Sequence, residues 1–216
     1  MSKPPPESSR GNRGPALLAA ARRIFFERGY ANTTVEQVAR AAGLSKRSVY
    51  LYFKNKDELF IAVASEGIEN LRRRFETLDL ETKGVDELIQ DTVDHYLAFA
   101  KEEPQLFRII FREATAEMMR NVSARLRTQV ARQERECLGF VERIVARGIE
   151  TGAVPAVDPL ETAVIFWGTV TGIILLSLGG SQTVFARKNR EELITKAVLM
   201  LRAGVGSLQG AAVEGP

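Results

Sequence analysis

An all-α fold is predicted, with a three-helix N-terminal unit followed by a larger helical bundle. Three observations carry the prediction. Apolar residues recur at three- and four-residue spacing along almost the whole chain, and no stretch alternates with period two between turn residues. Helix start and stop signals also follow one another at short intervals. With 216 residues, 45% of them hydrophobic, the chain can bury a sizeable core. The expected organisation is a basic arm lacking order over 1–14, a small domain over 15–62, a larger helical domain over 63–206 and a flexible tail over 207–216.

The elements follow in chain order. Pro15 suits a first helical position, and Leu17, Leu18, Ala21, Ile24 and Phe25 share one face before Gly29 stops the first helix. Thr34 and Gln37 have capping-box spacing and open a second helix, whose apolar face is Val35, Val38, Ala39 and Ala42. Gly43 ends it. Ser45 can cap a third helix, Lys46 to Phe53, with Val49 and Phe53 inward. Asn55 and Glu58 form another capping pair, opening a long connecting helix to about Phe75. Beyond it the spacing predicts a helix from Val85 to Ala100, a break at Pro104, a short helix through Phe107 and Phe111, and a long one from about Val122 to Gly148. Asp158, Pro159 and Glu161 combine a cap, a first-turn Pro and a third-position acid, so a helix starts there and runs to Gly179–Gly180. A last one spans about Asn189 to Gly204.

The second and third helices, joined by a short Gly-containing turn, have the form of a helix-turn-helix, whose second helix is sized for the major groove. Once Leu44, Val49 and Phe53 face inward, the outward surface is Lys46, Arg47, Ser48, Tyr50 and Tyr52, with no acid among them. Arg and Lys can read guanine edges, and hydroxyls hold phosphates. Lys56 starts the next helix, where free amides and the helix dipole also favour an anion. Charge is distributed accordingly. Residues 1–60 hold 11 Lys or Arg against 5 Asp or Glu, while the remainder holds 19 against 22.

The run Thr34-Val35-Glu36-Gln37-Val38-Ala39-Arg40-Ala41-Ala42-Gly43-Leu44-Ser45-Lys46-Arg47-Ser48-Val49-Tyr50-Leu51-Tyr52-Phe53-Lys54-Asn55-Lys56-Asp57-Glu58-Leu59 resembles the signature of the TetR/AcrR (tetracycline-repressor-like) family of transcriptional regulators. The resemblance is close over about 15–62; the rest agrees in length and helical content. It implies phosphate contacts from Thr34, Tyr50, Tyr52 and Lys56, with Lys46, Arg47 and Ser48 nearest the bases and Ser45 among them as the cap. It also implies a homodimer on an inverted-repeat operator in double-stranded DNA, usually repressing and released by a small-molecule effector. Ser48 stands where many members have Gly or Thr nearby.

From Thr162 to Ala186 no residue is charged. The apolar part, Ala163 to Leu178, is shorter than about 20 residues and includes Thr169, Thr171 and Ser177, so a membrane span is not expected. A helix apolar on all sides is buried in a core or against a second copy. The expected dimer interface is Val164, Gly168, Thr171, Gly172, Leu175, Val198 and Leu201. His95, Tyr96, Phe99, Phe107, Phe111, Met118 and Trp167 are candidates for an effector pocket, although such residues at helical spacing also build plain cores. The lone Cys137 excludes an internal disulfide framework and Cys-pair zinc sites, and the lone His95 excludes a His-rich metal site. No phosphate loop or nucleophile elbow is present. No cofactor and no catalysis are expected, and a reducing cytoplasm is the natural compartment. A helical adaptor that binds protein instead of DNA is the competing reading.

Overall fold

A computed structural model describes residues 13–178 and 189–211. Residues 1–12 of the arm predicted over 1–14, the Gly179–Gly180 helix stop and the last five residues of the tail lie outside the described residues. Among the described residues there are helices and turns but no strands.

Helix α1, Arg13–Arg28, buries Leu17, Ala20, Ala21, Ile24 and Phe25. It begins two residues before Pro15, which therefore sits in the first turn, where a missing N–H costs nothing. Gly29 ends it at φ +73°, a left-handed conformation that suits a residue without Cβ. Helix α2, Val35–Ala41, has the full capping box: Gln37 N donates to Thr34 Oγ1 at 3.2 Å, and Thr34 N to Gln37 Oε1 at 2.9 Å. Gly43 takes φ +66° and turns the chain into α3, Lys46–Tyr50, capped by Ser45, whose Oγ accepts from Ser48 N at 3.1 Å.

The third helix is shorter than expected. Its hydrogen bonding persists as single turns, Tyr52 N and Phe53 N both donating to Val49 O, before extended Asn55 starts a new cap. That cap opens α4, Lys56–Phe75, and Asn55 Oδ1 accepts from Glu58 N at 2.7 Å. Helix α5 covers Val85–Glu102. Pro104 does not merely break the chain; it leads α6, Pro104–Arg108, which widens into a π turn over Ile109–Glu113. Helix α7, Ala116–Asn121, was not expected, because it buries no residue and so leaves no apolar period to read. Then come α8, Ala124–Glu150, and α9, Pro159–Ser177, whose Asp158 cap accepts from Glu161 N at 2.8 Å. Helix α10, Arg190–Ala211, runs past Gly204, so the predicted stop there is corrected. An interior Gly costs only about 1 kcal/mol, which a helix can absorb.

One apolar core joins the small domain to the bundle: Leu17, Phe25, Val38, Val49, Phe60, Phe75, Phe99, Phe107 and Ile174 belong to a single cluster. Helix α4 is its spine, packing on α1 at one end and on α8 and α5 along the rest. A polar seam fixes its register on α8. Ser65 Oγ donates to Gln133 Oε1 at 2.7 Å, Gln129 Nε2 to Ser65 Oγ at 3.0 Å, and Gln133 Nε2 to Glu69 Oε2 at 3.3 Å. Gly67 lets α6 and the π turn approach, since a Cβ there would stand 2.8 Å from Ile110 Cδ1.

Candidate DNA-binding surface and effector cleft

Val49 is the pin of α3: at 1% exposure it plugs the angle between α2 and α4, and its burial turns the other side chains outward. Tyr50 is 46% and Tyr52 37% exposed; Ser45, Lys46 and Arg47 are also exposed, and Ser48 is half-buried. Lys46 is not unengaged, because it pairs with Glu36 of α2, and the partnership lowers the Glu36 pKa and raises that of Lys46. Its Nζ also lies 5.8 Å from the Tyr50 ring centre. Thr34 is exposed at the α2 cap. Lys56 braces the turns beneath: its Nζ donates to Tyr30 O at 2.9 Å and Thr33 O at 3.1 Å, and stands 4.0 Å from the Tyr30 ring centre. Two of its three ammonium donors are thereby used inside the domain.

The end of this surface is clasped to the bundle. Glu58, buried in the first turn of α4, accepts from Lys54 N at 2.6 Å and from Ser123 N at 3.2 Å. Burial pushes its carboxyl pKa up, but these hydrogen bonds outweigh burial and hold it below the ordinary value. Asn55 Nδ2 donates to Asn121 O at 2.9 Å, Asn121 Nδ2 to Asp57 Oδ2 at 2.7 Å, and Tyr30 Oη to Asp57 Oδ1. The corner between α7 and α8 is thus tied to the residues that directly follow α3.

In the bundle, a cleft of about 330 Å³ opens between α4, the π turn, α8 and α9, lined by Ile68, Leu71, Phe111, Cys137, Val164 and Trp167 among others, with Glu134. A smaller apolar cavity of about 110 Å³ lies between α5, α8, α9 and α10. Helix α9 is incompletely covered by its own chain, which buries only Ala163, Val170 and Ile174. Val164 and Ile165 are about half exposed, as is Leu176, and on α10 Leu199 and Met200 project further, Met200 at 72%.

The family described as "Bacterial regulatory proteins, tetR family" matches residues 17–63, and the description "Tetracyclin repressor-like, C-terminal domain" matches residues 89–203. The chain belongs to the tetR family. A Bacillus subtilis relative described as the HTH-type transcriptional regulator YhgD is 26% identical over 149 residues, 69% of this chain and 75% of the relative. Among solved structures, FadR of Bacillus subtilis in complex with stearoyl-CoA shares the fold at TM-score 0.67 and 21% identity, covering 88% of this chain and 98% of that one. AibR in complex with isovaleryl coenzyme A and operator DNA does so at TM-score 0.63 and 21% identity, with the same coverage.

Within this tetR-family chain the predicted effector residues separate. Phe111 and Trp167 line the cleft. Phe99 and Phe107 are fully buried in a cluster of tilted rings, with ring centres 6.2 Å apart, and Tyr96 packs on Trp167 at 4.8 Å. Met118 sits on α7 against the core and is not part of the cleft lining. His95 stands apart: its Nδ1 is 2.7 Å from Asp91 O and its Nε2 3.1 Å from Thr77 Oγ1, stitching α5 to the end of α4. The interface residues divide too. Val164 and Gly168 are exposed, and Gly172 and Leu175 half-buried. Thr171 instead turns inward to the Tyr96 hydroxyl at 2.7 Å, while Val198 and Leu201 line the smaller cavity. Of the outward apolar residues missed by sequence, Ile165 and Leu176 carried no signal because α9 is apolar on every face, while Leu199 and Met200 of α10 fall between the Val198 and Leu201 positions that spacing picks out. Ile68, Leu71, Glu134 and Cys137 were missed as cleft residues because only tertiary packing brings α4 and α8 together there. Helix α9 also corrects the membrane argument, since it has 19 residues, 18 of them in a stretch of mean hydropathy 1.7, and is long and apolar enough to cross one. What argues against a span is the seating of Ala163, Val170 and Ile174 in the chain's own core.

Proposed function

We propose that this chain is a homodimeric, operator-binding repressor that a small-molecule effector releases. The observation that carries it is the α3 surface, where burial of Val49 leaves Arg47, Tyr50 and Tyr52 facing solvent with hydroxyls and a guanidinium for a duplex. Residues 15–62 form the reading domain, with Thr34, Ser45, Lys46, Arg47, Ser48, Tyr50, Tyr52 and Lys56 as its contacts. Residues 63–206 form the sensing and dimerising domain. Lys46 trades its Glu36 partner for a phosphate or base, a pair exposed enough for the exchange to cost little.

The second copy covers the exposed side of α9 and α10. Gly168 and Gly172 have nothing within 4 Å of an added Cβ, so another backbone can approach there. Two copies related by a two-fold axis read an inverted repeat. The AibR structure, with operator DNA and an acyl-CoA ligand together, supports both partners for this chain. We assign it no cofactor, no catalytic role and a cytoplasmic place.

The test is selection of bound duplexes from random DNA, followed by gel shifts at rising salt. An inverted repeat should emerge, with affinity falling steeply as salt competes for phosphates. A chain that forms no DNA complex at any salt is the protein adaptor instead.

A further inference from the structure

The cleft behind α9 combines apolar walls with one carboxylate that has no partner. Ile68, Leu71, Ile110, Phe111, Leu138, Val164 and Trp167 supply hydrocarbon and two aromatic rings. Glu134 is on the same lining, one turn before Cys137 on α8. Its neighbours in sequence are all engaged, Arg132 with Glu136 and Arg135 with Glu142, yet among the described residues none donates a hydrogen bond or an ion pair to Glu134. Glu134 is an exposed residue at the rim of the cleft, and the partial desolvation of its carboxyl there raises its pKa. An incoming cation relieves that cost; an incoming anion adds to it.

We infer that this cleft takes a lipophilic organic cation, its hydrocarbon against Phe111 and Trp167 and its charge against Glu134. The inference rests on the reading of residues 63–206 as a sensing domain and names the chemistry of its ligand. A positive centre beside aromatic rings and a carboxylate gains from both, because ring faces and carboxylates attract cations. The acyl-CoA ligands of the structural neighbours carry the opposite charge at their polar end, so Glu134 would set this chain apart from them. The position also suits a regulator: the cleft touches α4, which leads to α3, and it borders Val164 and Gly168 on the uncovered face of α9.

Trp167 is the sole tryptophan, so its fluorescence reports on the cleft without labelling. The full-length protein at pH 8 is titrated with decyltrimethylammonium, decanoate and decanol, all below their micellar concentrations. The ammonium should alter Trp167 emission at a Kd roughly tenfold or more below that of decanoate, with decanol between. Glu134→Gln, folded by circular dichroism, should bring the ammonium and decanol together. Decanoate binding as tightly as the ammonium, a preference that survives Glu134→Gln, or no emission change with any probe overturns the inference. Gel shifts with the same probes keep the two readings distinct. Ammonium bound at Trp167 without loss of the operator complex leaves the site standing and defeats release; absence of an operator complex without any probe defeats the regulator reading alone.

Discussion

Arg47 and Lys56 are both cations of the reading domain, but they are held differently and should fail differently. Arg47 projects from α3 with no ion pair among the described residues, whereas Lys56 spends two donors on the carbonyls of Tyr30 and Thr33. Arg47→Ala should leave stability unchanged and cost about 1–3 kcal/mol of discrimination at one base step, measured by competition between operator variants. Lys56→Ala should weaken all duplexes about equally and flatten the salt slope, and it should also lower unfolding stability by about 1.5–3 kcal/mol in urea, because charge-assisted hydrogen bonds are lost. A Lys56 variant of unchanged stability contradicts the brace. Glu69 gives a second test at this scale. The Arg72 guanidinium, with Gln133 and Arg73 assisting, holds its carboxyl down at about 2 against an ordinary 4.5. Its folded pKa being depressed, its stabilisation is complete above about pH 4.5 and is lost as pH falls towards 2. Glu69→Gln should therefore shrink the fall in stability across that window, read by denaturant titrations at successive pH values; an unchanged fall assigns it to other carboxylates.

The turn between α2 and α3 is where one backbone conformation sets the angle of a whole element. Gly43 at φ +66° has open space around it, so Gly43→Ala meets no clash and pays only for the left-handed backbone. That cost is about 1–2 kcal/mol, to be seen as a lowered unfolding midpoint together with weaker operator binding. A variant as stable as the parent means the turn tolerates a side chain. Elements of this kind were legible in the sequence because their signals are local. Thr34 with Gln37, Ser45, Asn55 and Asp158 each cap within three residues of themselves, and all four caps form. What was not legible was longer in range or weaker in pattern. Helix α7 buries nothing, the π turn after Arg108 has no sequence period, and Glu36 meets Lys46 only once the turn has folded. Most of the effector candidates sit away from the cleft lining for the same reason, since spacing identifies Phe99 and Phe107 as inward but cannot say that other rings fill the space before them.

At the scale of the molecule, α9 and α10 present more apolar surface than a lone protomer should leave in water. Met200→Glu with Leu199→Glu should shift the protein towards monomer in sedimentation equilibrium and weaken operator binding in parallel, while leaving helical content intact. A double variant that remains dimeric moves the interface elsewhere. In the proposed dimer each protomer would bring one reading domain, and α4 would govern the distance between the two. That helix is unbroken from the Asn55 cap to Phe75, clasped at its start to the α7–α8 corner and walled midway by the cleft. Twenty helical residues span about 30 Å, so pivoting such a strut by roughly 6° carries its tip about 3 Å. One step along the duplex axis is about 3.4 Å. In the proposed dimer, an occupant of the cleft that pivots α4 by this much would displace each reading head by nearly a full base pair, putting the two heads out of phase with the half-sites they straddle.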